Sequence, residues 1–410
     1  MKKLSIALLS AAMILCCVLG LCACGNKDDG GIFKFTLNDD GESYTVVAKE
    51  NATVSGEITI PDTYNGKPVT VIGRFAFQGK NELNIVHIPE GITKIDVQAF
   101  NGCSTLSGYN IPASVKSIGQ MSFANCTSLG TINIPDTVTE VGIAAFSGCQ
   151  AGDLIIGSGI DEIKESTFSY CNYLSAVTIP GTVKRICDGA FTGCQNLSSV
   201  TIESGVEVIE PNAFSWCENL SSVTIPETAT IEQDLHSGPF SVSPVVVLEA
   251  PAAICYDLRL WEYDMLVSVT ITGSGKIEDN AFHDCTNLSV VDIVGNVTEI
   301  GDYAFSGCNI TSLLLPDGLL TIGENAFSIS ENMQELVLPS SVTSVAKSAF
   351  PELQTIYYKG TPAQWEDINF LYYDYETMVA FYSETRPAVF DGSIFYWHYD
   401  NDRPVMWMPD

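Results

Sequence analysis

A chain of 410 residues with 49 acidic and 19 basic side chains carries a formal charge of −30, yet 46% of it is hydrophobic. That apolar content excludes an acidic disordered chain, and the negative field excludes nucleic acid and anionic lipid surfaces as partners, because phosphate binding needs Lys and Arg. The length admits two or three ordinary domains or one elongated repeat domain.

Lys2 and Lys3 precede an almost unbroken apolar run from Leu4 to Leu21, followed by Leu21-Cys22-Ala23-Cys24 and a polar stretch through Gly31. Such a run reads as a processing signal. The four-residue segment resembles the lipobox of bacterial lipoproteins, in which the cysteine is diacylated and becomes the new N-terminus. The resemblance implies a signal peptide over 1–23, lipid attachment at Cys24 and a flexible linker over 24–31. Cys17 fits less well, because Cys16 stands where a small Gly or Ala is preferred. The alternatives are an ordinary secretory signal or an uncleaved anchor, although the run barely reaches the ~20 residues that span a bilayer. No second run of spanning length follows, so the membrane is met through the N-terminal lipid only.

Residues 32–57 read as an N-terminal cap. Phe33 to Ala48 alternate apolar and polar around Asp39-Asp40-Gly41, a hairpin pattern. From Ile58 the chain repeats itself. Ala-Phe or a close variant ends at Phe77, Phe100, Phe123, Phe146, Phe168, Phe191 and Phe214, and again at Phe282, Phe305, Phe327 and Phe350. The spacings are 22 or 23 except for one gap of 68, which holds three periods. Phe240 and Leu260 take the missing positions, giving about 13 units over 58–350.

In a typical unit, Cys194 to Phe214, Leu197-x-x-Val200-x-Ile202 alternates at period two as a short strand does. Pro stops the strand in most units, as at Pro89, Pro180 and Pro339. V-x-x-I-x-x-x-A-F then shifts the apolar spacing to three and four and predicts a tight turn or one-turn helical piece on the opposite side. One unit cannot bury its apolar face alone, so neighbours must stack. The fold class is therefore a β-rich repeat solenoid: a parallel strand ladder roughly 58 Å long at ~4.8 Å per step, with tight turns or short helical pieces behind it.

L-x-x-V-x-I-P, V-x-x-I, A-F and the Cys three residues later resemble the BspA-like class of bacterial leucine-rich repeats, from about Asn51 to Phe350. The resemblance implies a leucine-rich repeat-like solenoid and a surface protein associated with adhesion or partner binding.

Two stretches depart from the pattern. Ala229 to Asp264 is irregular, where function or tolerated drift is equally served. The segment 351–410, with Tyr357-Tyr358, Trp365, Phe381-Tyr382 and Tyr396-Trp397-His398-Tyr399, reads as an aromatic C-terminal cap, or else as a platform for sugar rings.

Little in the chain promises chemistry. Cys103, Cys126, Cys149, Cys171, Cys194, Cys217, Cys285 and Cys308 occupy one place in their units, so each stacks over its counterpart. They read as a structural thiol ladder, behaving as core hydrophobes, with bridges between neighbours left open. Of four histidines only His236, near Asp234, falls in the irregular stretch, and none has metal-ligand or triad spacing. No catalytic residue, metal or cofactor is assigned, and the chain is read as no enzyme.

The outward positions between Val and Ile run His87, Asn110, Asn133, Ile155, Thr178, Thr201, Thr224, Thr270, Asp292, Leu314, Val337 and Tyr357. Val290, Asp292, Leu314, Val337 and Tyr357 form a candidate ligand-binding face, because exposed apolar patches tend to mark contacts. Coverage by the C-terminal cap is the competing reading. The whole suggests a lipid-anchored, extracytoplasmic module at the cell surface for recognition or adhesion, with a protein or glycan partner. A ligandless display spacer is the alternative, and an enzyme of unrecognised type centred on Ala229–Asp264 is a third reading.

Overall fold

The computed structural model describes residues 31–232, 238–260, 263–330, 332–370, 377–387, 394–400 and 403–408. Cys24 with the signal and linker, and Asp234 and His236 in the irregular stretch, lie outside the described residues.

Each unit forms one coil of a β-solenoid of about 14 turns. On the first face the L-x-x-V-x-I segments pair in parallel, coil upon coil. Ala176–Ile179, Ser199–Ile202 and Ser222–Thr224 align Val177 with Val200 and Val223. Period two sends Val and Ile inward and Thr outward: Val200 and Ile202 are buried while Thr201 is exposed. Second-face V-x-x-I segments, expected as turns or helical pieces, contribute short strands of their own. Arg185–Ile186, Val208–Ile209 and Thr230–Ile231 form a second parallel ladder. The cause is coil-to-coil hydrogen bonding: Glu207 N–H donates to Lys184 O at 2.9 Å, and only an extended backbone keeps such bonds in step.

The third edge of each coil is a tight turn around the repeated Phe. Phe100, Phe123, Phe146, Phe168, Phe191 and Phe214 are fully buried, and their rings stack at 5.1–5.9 Å between centroids. The turn needs a left-handed backbone two residues after the Phe. Glycine supplies it at Gly102, Gly148 and Gly193, and Asn125 and Asp284, the types that tolerate it best, supply it elsewhere. Tyr170 (φ 58°), Trp216 (φ 60°), Val242 (φ 64°) and Ile329 (φ 61°) adopt it too, against a steric cost of about 1–2 kcal/mol each.

The irregular stretch interrupts one face and leaves the other whole. Val247–Pro251 pairs in register with Ser222–Thr224 before it and Ser268–Thr272 after it. The second-face ladder stops at Thr230–Ile231 and restarts at Ser274–Ile277, with a 3-10 turn, Ala252–Ile254, between. Phe240 still stacks on Phe214 at 5.6 Å. Ser243 fills the place of the cysteine, its hydroxyl donating to Phe214 O at 2.7 Å.

At the N-terminal end, Phe33–Leu37 and Tyr44–Ala48 form an antiparallel hairpin whose second strand pairs in parallel with Lys67–Ile72 and begins the second-face ladder. At the other end, strands of the aromatic segment past residue 350 pair onto the ladder. The first-face ladder runs on through Thr355–Tyr358, Met378–Tyr382 and Phe395–Asp400, all parallel, and closes on the antiparallel Arg403–Met406. Buried Ile356, Tyr358 and Phe381 replace the repeat's Val and Ile, so larger residues fill the same core without the spacing that makes the repeat recognisable. Among the described residues no helix is long and apolar enough to cross a membrane.

Candidate recognition surface

The outward side of the first-face ladder is open in its middle and closed at its C-terminal end. Along the open part, Ser222–Val247–Ser268–Val290 and Thr224–Glu249–Thr270–Asp292 form two parallel rows. Val247 and Val290 are 45% and 53% exposed on either side of Ser268, so two apolar side chains stand among hydroxyls and the carboxylates of Glu249 and Asp292. Asp292 is exposed beside them.

Val337 and Tyr357, expected on this same open face, are instead covered. They form a second small core with Ala380 and Trp397, against which Met406 packs. Trp397 has no exposed surface. Its ring lies 5.5 Å from Tyr357, 5.1 Å from Tyr382 and 4.9 Å from Tyr399, and its indole N–H donates to Tyr358 O at 3.1 Å. The register explains the fit, since Ala380 stands opposite Tyr357 and its small side chain leaves room for the indole. Leu314 pairs with Val337 through the backbone, and its side chain lies outside the described residues. The candidate face therefore shrinks to Val290 and Asp292, joined by Val247 one coil beyond Ser268.

The aromatic C-terminal run is mostly interior as well. Tyr358 is fully buried, and Trp365, on the short helix Pro362–Glu366, packs 5.2 Å from it and 6.4 Å from Phe381. Tyr357, Tyr358, Phe381 and Trp397 are thus turned inward, while Tyr382, Phe395 and Tyr399 remain exposed.

The eight cysteines of the ladder are buried and free, as are Cys187 and Cys255. Seven of the eight donate their S–H to the carbonyl of the Phe one coil back: Cys103 to Phe77 at 3.0 Å, Cys194 to Phe168 at 3.2 Å, Cys308 to Phe282 at 3.1 Å. In the eighth, Cys285, the acceptor is Leu260, which occupies the Phe position, at 2.9 Å. Burial pushes these thiols up, to about 12 for Cys103, Cys217 and Cys285, so they remain protonated donors at neutral pH. Among the described residues no group of three or more His, Cys, Asp or Glu side chains is placed to hold a metal ion.

Charge is sorted by face. Cations of the second face sit among carboxylates: Arg185 bridges Glu210 and Glu232 at 2.5 and 2.6 Å, and Lys276 meets Asp279 and Glu299 at 3.0 and 3.2 Å. The Phe-turn edge is nearly uncharged and carries an apolar strip that reading the sequence for strands passes over. Tyr170, Trp216 and Val242 are 58%, 57% and 61% exposed at the left-handed position of their turns. Alignment of the units by their Phe would reveal them, as bulky residues in a column held mostly by Gly, Asn or Asp, with Ile329 the other apolar exception.

A BspA type leucine-rich repeat region in six copies matches residues 54–175, 161–243 and 260–377. No curated protein matches the chain significantly. Among solved structures, a leucine-rich repeat protein from Bacteroides ovatus is 23% identical, with a TM-score of 0.51, over 86% of this chain and 98% of its own. A leucine-rich cell surface protein from Faecalibacterium prausnitzii is 28% identical over 84% of this chain and 97% of its own, with a TM-score of 0.44. A leucine-rich repeat protein from T. pallidum is 25% identical over 50% and 86%, with a TM-score of 0.38. The first of these shares the fold, and the repeat match extends over most of the sequence. With its strand ladder, its Phe column and its cysteine row, this chain belongs to the BspA-type leucine-rich repeat family.

Proposed function

We propose that this protein is displayed outside the cell on a lipidated Cys24 and acts as a non-enzymatic recognition module for a protein or glycan. The single observation that supports recognition most is the open part of the first face, a rigid hydroxyl-lined ladder on which Val247 and Val290 remain exposed. A solvated spacer gains nothing from apolar side chains there, whereas a contact surface does. Its backbone is fixed by pairing on both sides, so binding orders little and its entropic cost is small. Family membership supports the same reading, and the lipobox resemblance supports the anchor.

The test uses the full chain in its own membrane. Labelled palmitate should be incorporated, and Cys24→Ala should abolish incorporation and release the protein. The released protein, immobilised, should retain a defined partner from bacterial or host surface extracts, and Val247→Asp with Val290→Asp should lose at least tenfold in retention. A spacer predicts no retention, and equal retention by the double variant removes the first face from the account.

A further inference from the structure

The Phe-turn edge carries a second strip of exposed apolar side chains, Tyr170, Trp216 and Val242. Resting on the recognition reading above, we propose that Tyr170, Trp216 and Val242 form a platform for an extended, uncharged, β-linked glycan lying along the solenoid axis.

Three observations lead there. The positions are neighbours: Tyr170 N–H donates to Thr192 O, Gly193 N–H to Ser215 O and Trp216 N–H to Ser241 O, so Tyr170, Gly193, Trp216 and Val242 follow one another on four successive coils. A Cβ on Gly193 would lie 2.6 Å from Cδ1 and Cε1 of Tyr170, so the Tyr170 ring lies across Gly193 and carries the apolar strip toward Trp216. Phe75, Tyr303 and Ile329 are exposed on the same edge but stand singly, and Phe75 is taken up by the Arg74 guanidinium at 4.9 Å.

The fold does not ask for these side chains. They are exposed, so they add little to the core, and they occupy a left-handed backbone that glycine adopts without strain. Local strain kept in place without structural return is characteristic of functional surface.

Composition selects the partner. Through Ala145 to Gly152, Phe168 to Ser175, Ala190 to Ser198, Ala213 to Ser221 and Gly238 to Val246, Glu218 is the one charged residue in a chain of net charge −30. A basic protein would be drawn to the acidic second face instead, and an acidic polymer finds no cation in these five turn segments. The polar side chains exposed on the same coils are mainly amides, Gln195, Asn196 and Asn219. Gln195 donates to Glu218 and Asn219 to Gln195 O, and their remaining donors and carbonyls can meet hydroxyls. Aromatic faces carry negative charge density that attracts the C–H face of a pyranose. Tyr170 and Trp216 stand two coils apart, twice the 5.2 Å step between Phe rings. A β-1,4-linked chain turns over at each sugar and presents the same face at every second one, close to that distance.

The test is affinity electrophoresis of the full chain in gels containing hydroxyethylcellulose, xylan or polygalacturonate, beside Trp216→Gly and the Tyr170→Gly/Trp216→Gly pair. Glycine suits the backbone at both sites, so the variants should melt at the same or a higher temperature than the parent. Hydroxyethylcellulose or xylan should retard the parent, Trp216→Gly should weaken this at least tenfold, the pair should abolish it, and polygalacturonate should not bind. Retardation by neither neutral polymer overturns the proposal, even if a protein ligand requiring Trp216 is found. Glycan binding that survives in the pair but is lost in Val247→Asp also overturns it, while leaving the recognition reading intact.

Discussion

Phe191→Ala is expected to destabilise the solenoid by about 3–5 kcal/mol, the usual cost of emptying a fully buried aromatic site. Phe191 is stacked between Phe168 and Phe214 at 5.2 Å on either side, and its carbonyl receives the Cys217 thiol at 3.3 Å. A globule could collapse around the hole. Here the coils above and below are held at strand spacing by both ladders, so the cavity persists. Because each coil touches only its neighbours, the loss falls on the two interfaces of one coil and uncouples the halves on either side. Urea unfolding followed by circular dichroism should show a lower midpoint and a transition broadened or split in two. Thr201→Ala, exposed in the same unit, should stay within about 0.5 kcal/mol of the parent. A single transition of unchanged midpoint for Phe191→Ala would contradict the stacked column.

Alkaline pH is the second large effect. The eight ladder thiols are protonated in the folded chain with raised pKa values, to about 12 for Cys103, Cys217 and Cys285, against an ordinary 9.0. Above pH 9 the unfolded chain releases these protons and the folded chain keeps them, so stability falls as pH rises. Stability from this source is fully present below pH 9. Each thiol contributes a slope approaching about 1.4 kcal/mol per pH unit above pH 9, and because all eight shift in the same direction their losses add. The protein should stay folded through pH 8 and unfold cooperatively between about pH 9 and 11. Cys194→Ala should lower the proton release on unfolding by about one. A melting temperature that does not move between pH 8 and 11 would show that the thiols are not held as described.

Much of the architecture is legible because each structural need recurs at one place in every unit. Strand alternation, the Phe of the turn and the small thiol beneath it repeat at 22 or 23 residues, and even the interruption keeps register through Phe240 and Leu260. The C-terminal coils are not legible, because their core is filled by Tyr358 and Phe381 rather than Val and Ile. Period two tells which side a residue points to but not what covers that side. Val337 and Tyr357 therefore read as surface, whereas Trp397, some forty to sixty residues on, lies over them. Trp216 was hidden for the opposite reason: its significance rests on a left-handed φ that no periodicity reports.

The central claim is that the first-face ladder from Ala176–Ile179 to Arg403–Met406 is one twelve-stranded sheet, uninterrupted at the irregular stretch and carried into the C-terminal aromatic strands. Hydrogen exchange of the backbone amides tests it most directly. Continuity predicts slow exchange in Val247–Pro251 and Met378–Tyr382 matching that of Ser199–Ile202, since all three pair on both sides. Fast exchange in Val247–Pro251 with protection on either side would contradict it, dividing the solenoid into two independent halves.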